Sequence, residues 1–206
     1  GKYEDALAGL DRLPVSVVAN SDGVLLKQRV MRGLGQYDAA IALLQTLARS
    51  NQDDCRVRHE LGAALHDNGM RVRANELFQA NADLEPRPTD PLQLAYVGRS
   101  LFRLGGRANY ETASRVLVDS IQAAPERPEA RTTLGELKFL AYGETQGFPS
   151  GERDLKKVLD VNGDNEAALL AMYRVRGANM VLDANKTEEF LTRVLDRNPR
   201  SVDARA

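Results

Sequence analysis

The stretch from Cys55 to Pro88 constrains this chain most, because its small and large apolar residues fall at intervals that suit two packed helices. Leu61-Gly62 and Leu65 share one helical surface, Gly69 stands where that helix would turn, Ala74 and Phe78 sit four apart on a second helix, and Pro86 closes the unit. Residues three or four apart lie on one helical face, so the stretch reads as a helical hairpin of about 34 residues. The landmarks recur. Val97-Gly98, Leu101 and Gly105, followed by Tyr110, Ala113, Leu117 and Pro125, make a later copy, and Leu134-Gly135 opens another. Upstream, Tyr37, Ala40, Ile41, Leu44 and Leu47 make a second half-hairpin after Gly35.

This pattern resembles the tetratricopeptide repeat. In that family the small residues, here Gly62 and Ala74, let the two helices approach while Leu61, Leu65 and Phe78 fill the space between them. The copy is degenerate: Arg58 occupies the pattern's Trp position and Asn81 a later Ala position. The resemblance implies an all-α, right-handed superhelical solenoid of antiparallel hairpins. Its expected units are a partial one at 1–14, repeats at 22–54, 55–88, 90–127, 128–164 and 165–200, and the start of another at 201–206. The missing initiating Met and the unfinished last unit suggest an excised piece of a longer protein.

Several local signals refine this outline. Pro14 ends the first helix, Asp22 is a candidate cap for the next, and Gly35 stops it. The proline-rich 86–91 reads as a loop within the array. Ser150 is a candidate cap after a long turn at 144–149, and Leu155, Val158, Leu159 and Val161 form the apolar stripe beyond it. In the fifth unit a helix carrying Ala168, Leu169, Met172, Tyr173 and Met180 is expected to run through Gly177 to Asp183, with its partner over Thr187 to Leu195.

Composition narrows the function classes. A formal net charge of -1 argues against a generally basic nucleic-acid binder, and the few aromatic residues fall at packing positions, so no nucleic-acid partner is expected. One cysteine gives no disulfide framework. No apolar run approaches the roughly 20 residues that span a bilayer, so no membrane insertion is expected. Cys55, His59 and His66 share a helix, yet a closed zinc site needs a fourth ligand and tighter spacing; His59 and His66 read as surface residues and Cys55 as half-buried. There is no nucleophile elbow, phosphate loop or His-Glu-x-x-His. Neither catalysis nor a cofactor is expected.

In tetratricopeptide proteins the first helices line a concave groove that holds an extended peptide or a partner helix. Carried over by position, the resemblance puts Asp22, Leu25, Arg29 and Arg32 there, then Arg56, His59, Ala63, His66 and Asp67. The third unit offers Leu92, Ala95, Arg99, Phe102 and Arg103, and the fourth Glu129, Thr132, Glu136, Phe139 and Leu140. The Lys and Asn set with which some members clamp a chaperone's C-terminal carboxylate is absent, since His59 and Ala63 stand at those positions. Arginines dominate the first three units, so the expected partner is an acidic protein or peptide segment. Its contacts would be Arg29, Arg32, His59, His66, Arg99, Phe102, Arg103, Glu136 and Phe139, with Phe102, Phe139 and Leu140 as apolar anchors. The same architecture also serves as a spacer or oligomerisation segment, or as the accessory region of an enzyme whose catalytic domain lies elsewhere. Self-association through Leu191, Val194 and Leu195 of the last unit is a further expectation.

Overall fold

The computed structural model describes residues 2–14, 20–142, 147–177 and 184–197, which form eleven α-helices and, among the described residues, no strand. They are α1 (Lys2–Asp11), α2 (Ser21–Gly33), α3 (Tyr37–Ser50), α4 (Cys55–Asp67), α5 (Arg71–Ala82) and α6 (Pro91–Leu104). Then come α7 (Arg107–Ala123), α8 (Pro128–Tyr142), α9 (Phe148–Val161), α10 (Glu166–Gly177) and α11 (Ala184–Arg197). From α2 onward they pair as hairpins. Each second helix also packs against the first helix of the next hairpin, and α2, α4, α6, α8 and α10 touch in succession. The first helices therefore form one continuous row, and the chain is an all-α solenoid.

The glycines explain the tight crossings. A Cβ built on Gly62 would stand 2.7 Å from the Phe78 ring, one on Gly98 2.6 Å from Leu117, and one on Gly135 2.7 Å from Leu155. Real Cβ contacts are not that short, so three successive hairpins each set a first-helix glycine against a large second-helix side chain. Phe78, Leu117 and Leu155 are almost wholly buried, and burial of such a side chain contributes about 1.5–3 kcal/mol. That is more than an exposed ion pair supplies, so the hairpins depend on apolar packing over glycine. Gly35, Gly69 and Gly105, all at positive φ, make the turns.

Helix starts follow local chemistry. Asp54 accepts from the backbone of Arg56 and Val57, and Asp90 from that of Gln93 ahead of Pro91 in the first turn. Two expected caps are corrected. Asn20, not Asp22, caps α2, because its Oδ1 accepts from Gly23 N at 2.7 Å. Ser150 lies inside α9, which starts at Phe148. Val161 is exposed rather than part of the buried stripe, which Leu155 and Val158 carry.

In the last hairpin α10 is described to Gly177; its expected continuation, Met180 included, lies outside the described residues, as do Pro199 and 201–206. Val194 is buried against Leu169 and Leu170, with Leu191 and Leu195 partly buried beside it. The stripe expected to await a further helix is thus already covered in part by α10. No helix among the described residues is long and apolar enough to cross a membrane.

Candidate functional site

Counting from the glycine of each first helix separates the residues that line the row from those beneath it. Five positions after it stand Asp67, Arg103 and Leu140, all exposed; one position after it, Arg99 and Glu136 are partly exposed. Three positions before it stand His59, Ala95 and Thr132, all buried. His59 is therefore corrected from a surface position to a core one. Its ring centroid lies 5.3 Å from that of Phe78 and 5.4 Å from that of Tyr96, and its Nδ1 is 3.0 Å from Ser100 Oγ. Burial, reinforced by the charge of Arg99, holds its pKa well below the usual imidazole value. His59 is neutral near pH 7. Cys55, expected half-buried, is fully buried too.

The residue that organises the row is Glu60, only 4% exposed. Arg29 Nη2 donates to Glu60 Oε1 at 2.8 Å and Arg32 Nη1 to Oε2 at 3.1 Å, while Gln28 Nε2 donates to Oε2 at 3.2 Å. From α6, the Tyr96 hydroxyl lies 3.5 Å from Oε1 and accepts from Arg29 Nη2 at 2.9 Å. Burial pushes the Glu60 carboxyl up, but Arg29, Arg99 and Arg32 outweigh it and hold the group well below the usual range. The mirror effect raises Arg29. One carboxylate thus ties three successive first helices together.

This network changes the standing of the basic residues. Arg32 also meets Asp67 at 2.5 Å, and Arg56 is held by Asp54 and Asp22, each at 2.9 Å. His66 is partly exposed beside Asp67, 3.9 Å away. Arg99 and Arg103 are different. The Arg99 guanidinium lies over the Tyr96 ring, 4.8 Å from its centroid, and neither arginine makes an ion pair within 4 Å among the described residues.

Two of the expected apolar contacts are engaged inside the fold. Phe102 packs on Tyr110 of α7 with ring centroids 5.9 Å apart, and Phe139 packs against the cluster of Leu155, Ala171, Met172 and Val175. Leu140 remains 57% exposed. Glu136 pairs with Arg174 of α10 at 3.3 Å. Sequence reasoning missed Glu60 and Tyr96. Both stand two residues before a first-helix glycine, Gly62 and Gly98, a register that marks them as neighbours on adjacent helices.

No family model matches the chain, and no curated protein does. Among solved structures, TTC0263, a thermophilic TPR protein of Thermus thermophilus, aligns with 90% of this chain and 95% of its own at 18% identity and a TM-score of 0.63. Human IFIT1, as a dimer with PPP-AAAA, aligns with 94% of this chain and 45% of its own at 16% identity and a TM-score of 0.61. The fold and the repeated Leu-Gly, Ala and Phe or Leu landmarks make this a TPR-like helical-repeat protein.

Proposed function

We propose that this solenoid is a protein-interaction module whose row of first helices forms a concave groove for an extended, acidic peptide segment. The observation that carries the reading is the pair Arg99 and Arg103, one helical turn apart on the face of α6, with no ion-pair partner among the described residues. Like charges at this spacing repel by a few tenths of a kcal/mol, a cost that an anionic partner reverses. Leu140, exposed on the neighbouring first helix, supplies an apolar contact in place of Phe102 and Phe139. Exposed ion pairs contribute only about 0.2–1 kcal/mol each, against roughly 8 for micromolar affinity, so contacts with the peptide's main chain must supply the larger share, with an apolar side chain adding to them where the peptide has one.

Fluorescence anisotropy with labelled octaglutamate and octalysine tests this. Octaglutamate is expected to bind and to weaken as salt rises, through screening of the exposed charges, while octalysine does not bind. Equal binding of both peptides, or of neither, refutes the acidic-groove reading.

A further inference from the structure

The four arginines of the groove are not equivalent, and their difference follows from what already touches them. Arg29 and Arg32 reach Glu60 at 2.8 and 3.1 Å, and Arg32 also reaches Asp67 at 2.5 Å. Glu60 has 5% of its side chain exposed, and Arg32 18%. A buried carboxylate cannot give up its cationic partners without leaving a desolvated charge behind, which costs several kcal/mol. At Arg32 an incoming carboxylate would therefore have to displace Glu60 or Asp67, while at Arg29, 52% exposed and bonded only through Nη2, it would meet the charge of Glu60 already beside the guanidinium. On α6 no carboxylate is bonded to either arginine among the described residues: the field of Glu60 reaches Arg99 and those of Asp67 and Glu136 reach Arg103, but Asp67 is bonded to Arg32 and Glu136 to Arg174.

Geometry also prepares Arg99. A guanidinium stacked over an aromatic ring uses its face, and its five N–H groups lie in its plane. With Tyr96 beneath it at 4.8 Å, Arg99 is steered while its in-plane donors stay available for the two oxygens of a carboxylate. Tyr96 is itself fixed by Arg29, which donates to its hydroxyl at 2.9 Å.

We infer that Glu60 is a built-in counter-anion that withdraws Arg29 and Arg32 from ligand binding and confines anion recognition to an Arg99–Arg103 subsite on α6. This rests on the acidic-groove reading and deepens it. Two arginines one helical turn apart match one or two carboxylates, so the recognised feature of the partner is a localised acidic pair. Glu60 is a positioning and specificity-determining residue, since it acts on the ligand through the arginines.

The test measures octaglutamate binding by anisotropy to the full chain and its variants, with circular dichroism confirming that each is folded at the temperature used. Arg99→Gln/Arg103→Gln is expected to weaken binding about tenfold. Arg29→Gln/Arg32→Gln is expected to change it less than about twofold, while lowering the melting temperature because Glu60 is stranded. Should that variant fail to fold, Glu60→Gln decides. Freeing two arginines is expected to tighten octaglutamate binding severalfold even as the melting temperature falls, an outcome that a purely structural role would not produce. Adding Arg29→Gln to Glu60→Gln should then remove the gain. Equal weakening by the two arginine pairs, or unchanged or weaker binding by Glu60→Gln, overturns the assignment and leaves the acidic groove standing. No octaglutamate binding by the unsubstituted chain overturns both.

Discussion

Arg58 donates a hydrogen bond of 2.7 Å to Oδ1 of Asn81, joining the two positions at which the central hairpin departs from its repeat pattern. Asn81 is fully buried, and its amide nitrogen donates to the Cys55 carbonyl at 2.9 Å and to Ser100 Oγ at 3.0 Å. A polar chain therefore runs from Arg58 through Asn81 and Ser100 to His59, covering the two positions where the tetratricopeptide pattern has Trp and Ala. Each departure is satisfied by another.

Asn81→Ala should accordingly cost about 1–3 kcal/mol, the penalty for leaving buried polar groups without partners. Alanine restores the residue that the tetratricopeptide pattern has at this position, so pattern matching alone would expect a gain. Urea denaturation separates the two outcomes, since a lower midpoint at an unchanged slope reports lost native stability. An equal or higher midpoint would mean that the Arg58–Asn81 chain contributes nothing.

The same substitution, glycine to alanine, should have opposite signs at two sites. In α1, a Cβ on Gly9 meets nothing within 4 Å, so Gly9→Ala gains helix propensity and stabilises by roughly 0.5–1 kcal/mol. At Gly62 the Cβ would stand 2.7 Å from the Phe78 ring, and strain of about 1–3 kcal/mol in a packed core exceeds that gain. Gly62→Ala should lower the melting temperature and Gly62→Leu lower it further. Thermal melts of the three variants check the order.

Those crossings were legible in the sequence because a Leu-Gly pair and an Ala-to-Phe spacing leave little choice of packing. The hairpin turns at Gly35, Gly69 and Gly105 were legible for the same reason. Site residues were less so. His59 looked like a surface residue because polarity was read as exposure, whereas Ser100 and the flanking rings of Phe78 and Tyr96 accommodate a neutral imidazole inside. Glu60 was invisible as a site because its partners, Gln28, Arg29, Arg32 and Tyr96, lie 28 to 36 residues away, on two other helices. Phe102 and Phe139 have groove-like spacing, but a ring four residues past the glycine can also turn back onto a second helix or the next hairpin, and both do.

Acid should destabilise the solenoid in two stages. His59 has a folded pKa below its usual 6.5, so the unfolded chain binds the proton more readily and stability falls as pH drops below about 6.5. Glu60 has a folded pKa far below its usual 4.5, so its contribution is complete above that value and fades as pH falls beneath it. Melting temperature measured against pH should therefore bend downward below about 6.5 and steepen below about 4.5. His59→Phe should flatten the upper stage while keeping the lower one. A variant whose upper stage is unchanged would show that His59 is not the group responsible.

Phe139 and Leu140, both expected from the sequence as apolar anchors, can be told apart by pairing a stability measurement with a binding one. Phe139 packs on Leu155, Met172 and Val175, so Phe139→Ala should cost about 2–4 kcal/mol of stability and disturb binding only through the loosened fold. Leu140 is 57% exposed on the row of first helices, so Leu140→Ala should leave the melting temperature within about 1–2 °C, as surface substitutions do. If the groove is the binding surface, Leu140→Ala nevertheless weakens a bound acidic peptide carrying one leucine, and by the same factor at low and high salt, because apolar contact is not screened. Arg99→Glu gives the complementary pattern: it weakens binding strongly at low salt and flattens the salt dependence, since a repelled ligand gains from screening what an attracted one loses. Anisotropy titrations of both variants at two salt concentrations distinguish these signatures. If Leu140→Ala leaves affinity unchanged at both salt concentrations while Arg99→Glu lowers it, Leu140 lies outside the contact and the binding surface ends at α6.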